Sequence, residues 1–147
     1  MSYKILGIGK WELVTAVLFA VSQIATASNA PVVSGSYEIV QNKNLGSQAQ
    51  IRMRIHLVNH GPNSLSIQRM TLWDFSHPDK GGTRVCPLTL RMHASAETIQ
   101  EFTILRSEYE SWRKGMRPRF VLEIAAPGRV KSTTVVRLDR ISGREAK

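Results

Sequence analysis

The chain has 147 residues, a net charge of +9 at pH 7, 42% hydrophobic residues and a single cysteine. That length and apolar content suit one domain with its own core and exclude a disordered chain, and the lone Cys86 excludes an internal disulfide. The charge is uneven: residues 28–112 carry eight Lys/Arg against seven Asp/Glu, whereas residues 113–147 carry ten against Glu123, Asp139 and Glu145.

The first element is an export signal. Lys4 and Lys10 form a basic flank, residues 13–21 (LVTAVLFAV) a short apolar core, and Ala25-Thr26-Ala27 the small-x-small pattern cleaved by signal peptidase. A spanning helix needs about 20 largely apolar residues, and residues 11–27 are fewer and carry Glu12, Thr15, Ser22, Gln23 and Thr26. An uncleaved anchor is the alternative, and Ser28-Asn29-Ala30 is a less suitable second cleavage site because Pro31 follows it. The expected layout is a signal peptide over residues 1–27 and one mature domain over 28–147, exported to the periplasm or the cell exterior.

The mature part reads as strands. A weak one is expected over residues 36–41. The clearest covers 50–59, where Ile51, Met53, Ile55 and Leu57 alternate with Arg52, Arg54, His56 and Val58, the period of a strand with one buried face. After the turn residues His60-Gly61-Pro62-Asn63-Ser64, a strand over 65–75 changes phase between Ile67 and Met70, which predicts a bulge near Gln68-Arg69. Residues 76–83 form a loop, 85–92 an irregular strand that Pro87 assigns to an edge, and 98–104 a further strand. Residues 119–125 and 132–138 complete about seven, with Pro127-Gly128 between them. The expected fold is an all-β, immunoglobulin-like antiparallel sandwich.

One segment departs from this pattern. Ser107-Glu108-Tyr109-Glu110 has the form of a capping box, Arg113 and Lys114 suit the end of a helix, and Gly115 suits the left-handed residue beyond it. A two-turn helix over 107–114 would place Tyr109 and Trp112 on one face, against the core, and cross from one sheet to the other.

The run of residues 54–63 (RIHLVNHGPN) resembles the valine-x-asparagine-x-glycine strand and turn of bacterial immunoglobulin-like modules of the CARDB and DUF11 type, and residues 94–103 (ASAETIQEFT) resemble a following strand of such modules. The resemblance implies a binding or spacer module without a catalytic centre, with Gly61 needed for the turn. The helix and the single copy of the module depart from that pattern.

The sequence bears on four classes of chemistry. The basic C-terminal region offers Arg117, Arg119, Arg129, Lys131 and Arg137 as a surface for an anionic partner: an envelope protein, an acidic glycan or a lipid headgroup. A copper carrier using His56, His60 and His93, with Met92 beside them, is the alternative; Met53, Met70 and Met92 are otherwise expected in the core. Asp74, His77 and Asp79 form the densest reactive cluster, on a loop flanked by Trp73 and Phe75, but no nucleophile motif accompanies them, and no enzyme activity or cofactor is expected. Nucleic acid is not expected as a partner, because aromatics do not interleave with the basic residues. Cys86 is expected to be a small buried residue.

Overall fold

A computed structural model describes residues 32–73, 82–125 and 131–141. The proposed signal, the Asp74–His77–Asp79 cluster and Arg129 lie outside the described residues.

Seven strands follow in order: β1 (Val33–Leu45), β2 (Gln48–Asn59), β3 (Leu65–Trp73), β4 (Thr83–Leu90), β5 (Ser95–Leu105), β6 (Arg119–Ala125) and β7 (Ser132–Arg140), with a helix α1 (Arg106–Arg113) between β5 and β6. Hydrogen bonding places them in the order β4-β3-β6-β7-β1-β2-β5. One layer is β1-β2-β5 and the other β4-β3-β6-β7, an immunoglobulin-like sandwich of three strands on four. The pairings are antiparallel as expected except one: β1 runs parallel to β7, with Gly35 to Tyr37 paired against Leu138 to Arg140. The first strand thereby joins the two layers along one seam. Along the other seam, the Arg84 Nε donates to the Glu101 carbonyl at 2.7 Å, and Cys86 Sγ approaches Thr98 Oγ1 at 3.7 Å.

The alternation in β2 is realised in full: Ile51, Met53, Ile55 and Leu57 are all 0% exposed. From the facing layer come Ile67, Met70, Leu72, Leu90, Phe120, Leu122 and Leu138, also buried. Phe102 and Phe120 meet edge to face across the layers at 5.5 Å. The phase change in β3 is a bulge, visible as a register shift between Ile67 and Arg69 against both β4 and β6. Pro87 lies on an edge strand, where its missing N–H costs no ladder bond. Cys86 is buried.

Several expectations need correction. β1 is the longest strand, not a weak one over 36–41; its solvent-facing end is polar, and pairing with β2 as far as Leu45↔Gln48 sustains it. The capping box does not form. Leu105 occupies the N-cap position with no side-chain cap, because β5 stays paired as far as Leu105↔Gln48 and the Arg106 amide donates to the Ser47 carbonyl at 2.9 Å. The ladder therefore starts the helix one residue early. Its other end follows the sequence: Gly115 has φ 102°, its amide donates to the Trp112 carbonyl, and the Met116 amide donates to that of Ser111, a Schellman closure.

Tyr109 and Trp112 are buried as expected, Trp112 meeting Tyr37 edge to face at 6.2 Å. Met92 is 59% exposed rather than core, since β4 ends at Leu90 and Met92 falls in the turn before His93, whose φ is 52°. Gly61 has no unusual φ, and a Cβ there would lie 2.9 Å from Val32 Cγ1, so that side chain would have to shift to admit one.

Candidate functional site

The register of the β6–β7 hairpin decides where the basic residues fall. Leu138 donates its amide to the Pro118 carbonyl at 3.1 Å, so even-numbered residues of β7 turn their backbone groups toward β6. Arg137 and its partner Arg119 therefore form a non-hydrogen-bonded pair, the arrangement in which opposed side chains stand closest, with Cα atoms about 4.5 Å apart. Phe120, Leu122, Val136 and Leu138 point into the core, and the two arginines are on the opposite face. The ladder thus sets two arginine positions directly opposite one another, a placement in which like charges with no other relief destabilise a sheet.

Two further residues complete this end of the sandwich. The Arg119 guanidinium lies over the Trp73 ring, 5.4 Å from its centroid, and Trp73 is Arg119's partner on β3. The rung Trp73–Arg119–Arg137 is therefore one aromatic ring followed by two cations. Arg117, exposed, pairs with Asp139 at 2.8 Å.

Of the five candidate basic residues, the structure brings together Arg117, Arg119 and Arg137. Lys131 stands apart. It precedes β7 at the other end of the hairpin, roughly 20 Å from Arg137 at about 3.4 Å per residue, and its ammonium is paired with Glu123 at 3.1 Å. The outer face of the three-stranded layer has a different character: Arg54 bridges Glu38 at 2.8 Å and Glu97 at 3.2 Å, and Gln50 donates to Glu101 at 2.6 Å. There, charges of opposite sign are interleaved.

His60 Nε2 and Ser34 Oγ are 2.6 Å apart, and His56 lies between Ser36 and Glu97 in the sheet register. Among the described residues, no three His, Cys, Asp or Glu side chains converge on a common point. No helix of the described residues is long and apolar enough to cross a membrane.

Two residues matter more than their sequence context suggested. Asn59 sits inside the valine-x-asparagine-x-glycine run, and its side chain is completely buried. Its Oδ1 accepts from the Gly61 amide at 2.9 Å, while Nδ2 donates to the Asn63 carbonyl at 2.8 Å and lies 3.2 Å and 3.3 Å from those of Arg91 and Leu90. The carboxamide bolts the end of β2 to the end of β4, one strand from each layer. Glu108 is also buried, and accepts from Trp112 Nε1 at 3.0 Å. This bond fixes the helix's aromatic face.

Two concavities flank these elements. One, of about 240 Å³, lies between the β1–β2 hairpin and α1, with Asn42, Arg106, Tyr109 and Arg113 around it. The other, of about 320 Å³, adjoins the arginine end and is bounded by Val33, Val135, Val136, Arg117, Arg137 and Asp139, among others.

No family model matches the chain, and no curated protein matches it. Among solved structures, it is similar to a protein from Archaeoglobus fulgidus at 15% identity and a TM-score of 0.39, over 71% of this chain and 89% of that one.

Proposed function

We propose that the chain is an exported, non-catalytic binding module of the cell envelope that holds an anionic partner at the Arg117–Arg119–Arg137 end of its sandwich. The observation that carries this reading is the direct opposition of Arg119 and Arg137 across β6 and β7. Like charges so placed work against the fold, and an anion bound between them converts that repulsion into two charge-assisted contacts. Trp73 supports the arrangement by placing its ring beneath the Arg119 guanidinium, 5.4 Å from the ring centroid. A planar, bidentate donor pair suits carboxylate or phosphate.

The reading is tested by fluorescence anisotropy of labelled polyglutamate titrated with the full chain at low salt. The double variant Arg117→Glu, Arg137→Glu should weaken binding by at least about a hundredfold, taking about 1.4 kcal/mol per tenfold and one or more such units per reversed contact. Lys131→Glu, at the far end of the hairpin, should leave binding within about twofold. Binding unchanged in the double variant, or lost equally on altering Lys131, overturns the proposal.

A further inference from the structure

The groove beside Arg137 has a property that anion binding alone does not require. β7 is bonded on both sides: Leu138 donates to Pro118 toward β6, and the Ile141 amide donates to the Tyr37 carbonyl at 2.8 Å toward β1. Backbone polar groups alternate sides along a strand, so Thr133 and Val135 turn theirs toward β1. There β1 does not meet them. The parallel pairing begins at Gly35↔Leu138, while Val33 and Ser34 pair with Asn59 and Val58 of β2. Among the described residues, no strand covers that side of β7 from Ser132 to Val136.

The gap between the parted strands is the groove of about 320 Å³. Val33 and Val136, both 3% exposed, line its floor and Val135 is 55% exposed; Arg137 is exposed on it, as is Arg117 in its exposed ion pair with Asp139, so the groove carries two cations against one carboxylate. An unpaired strand edge is a template for another strand, and edges are ordinarily blunted by proline or lysine. β4 has Pro87 for this purpose, whereas Ser132-Thr133-Thr134-Val135-Val136 has only β-forming and small residues. A lipid headgroup or glycan offers no alternating amides and carbonyls to match such an edge; a peptide does.

We propose that this groove receives an extended acidic segment of a partner protein, which adds as a strand along the free side of β7 and sets its carboxylates against Arg137 and Arg117. The proposal rests on the anion-binding reading of those arginines and adds the partner's class and geometry to it. Apolar residues at alternate positions of the segment would face Val33 and Val136, and acidic ones would face the guanidinium groups, following the period of two.

The test uses the full chain, isotopically labelled, with three blocked synthetic peptides: alternating Glu-Val, alternating Lys-Val, and alternating Glu-Val with every second amide N-methylated. The Glu-Val peptide should bind and slow hydrogen exchange of the Val135 amide by about tenfold or more. The Lys-Val and N-methylated peptides should each bind at least about tenfold more weakly, and Arg117→Ser, Arg137→Ser should lose the preference for Glu-Val over Lys-Val. Equal binding of the N-methylated peptide overturns strand addition while polyglutamate binding still stands, so the two proposals fail separately. Equal binding of Lys-Val overturns the acidic partner. Protection of Val135 that rises with protein concentration and without peptide overturns it too, by showing a second copy of the chain on the edge.

Discussion

Replacing Asn59 should be the most damaging conservative change in the sandwich. The side chain is buried and its carboxamide serves one amide and up to three carbonyls, all at or just beyond strand ends. Asn59→Ala removes these partners at once. Each buried hydrogen bond contributes about 0.5–1.5 kcal/mol net, and groups left without a partner cost more. The Gly61 amide and at least two carbonyls would lose theirs, so the loss should be about 2–4 kcal/mol out of a typical 5–15. For a domain of this size that corresponds to a midpoint lowered by roughly 10–20 °C.

Asn59→Asp separates hydrogen bonding from volume. Aspartate fills the same space but, when ionised, presents an oxygen to carbonyl groups that need a donor. Burial and those carbonyls disfavour the charged form, so the folded-state pKa of the new carboxyl lies above its unfolded value of about 3.9. The unfolded chain then gives up this proton at lower pH than the folded one, and stability is lost as pH rises above about 4. The variant should approach the alanine variant near pH 3.5, where the protonated acid donates one hydrogen bond, and fall well below it at pH 7. Urea unfolding followed by far-ultraviolet circular dichroism, compared with the unaltered chain at each pH, measures both. An Asn59→Ala variant within about 0.5 kcal/mol of the unaltered protein, or an Asn59→Asp variant insensitive to pH, would refute the bolt.

Other positions give sharper but narrower tests. Burial pushes the Tyr37 hydroxyl above its ordinary pKa, and Tyr109 adds to this while Arg140 opposes it; stability should therefore fall as pH rises above about 10, and Tyr37→Phe should flatten that fall in a thermal-melt series. The buried Tyr37 hydroxyl has no hydrogen-bond partner among the described residues, so the same substitution should be neutral or stabilising at pH 7, and a loss beyond about 1 kcal/mol would contradict its isolation. Cys86, 2% exposed, should react with a thiol reagent only slowly in the folded chain and rapidly in urea; equal rates would place it at the surface. Gly35→Ala would bring a Cβ within 2.7 Å of the His56 carbonyl and of Leu138, and should cost about 1–3 kcal/mol by parting β1 from its neighbours, read by urea unfolding.

The fold was legible where side chains alternate without interruption. β2 and β6 each repeat an apolar residue at every second position, and those positions are the buried ones. β1 was underestimated because its alternation is interrupted by a register shift between Ile39 and Gln41 and then gives way to Gln41, Asn42, Lys43 and Asn44. Those residues are strand because β2 pairs with them, a cause that lies outside their own pattern. The helix shows the same hierarchy. Its Gly115 end depends on local backbone geometry and was readable, while its start is set by a ladder to β2 that no capping motif reports. Asn59 was hidden for a related reason: Asn-x-Gly-Pro reads as turn chemistry, and the acceptors at Leu90 and Arg91 are some thirty residues away.

The arginine end was only half legible, and the missing half is a matter of one residue of register. Composition alone shows that residues 113–147 concentrate positive charge. It treats Lys131 as equal to Arg119, although the hairpin holds them at opposite ends and gives Lys131 a partner in Glu123. A two-residue turn at Pro127-Gly128 would set Arg119 against Val136, an arginine opposite a core residue. The observed register sets it against Arg137. Because side chains alternate with a period of two, that single step moves a cation from one face to the other. The opposition of Arg119 and Arg137 across the ladder therefore belongs to the folded hairpin and not to any motif, and the same register leaves Val135 with its backbone turned toward the gap beside β1. Charge and strand edge meet at one place because one ladder fixes both.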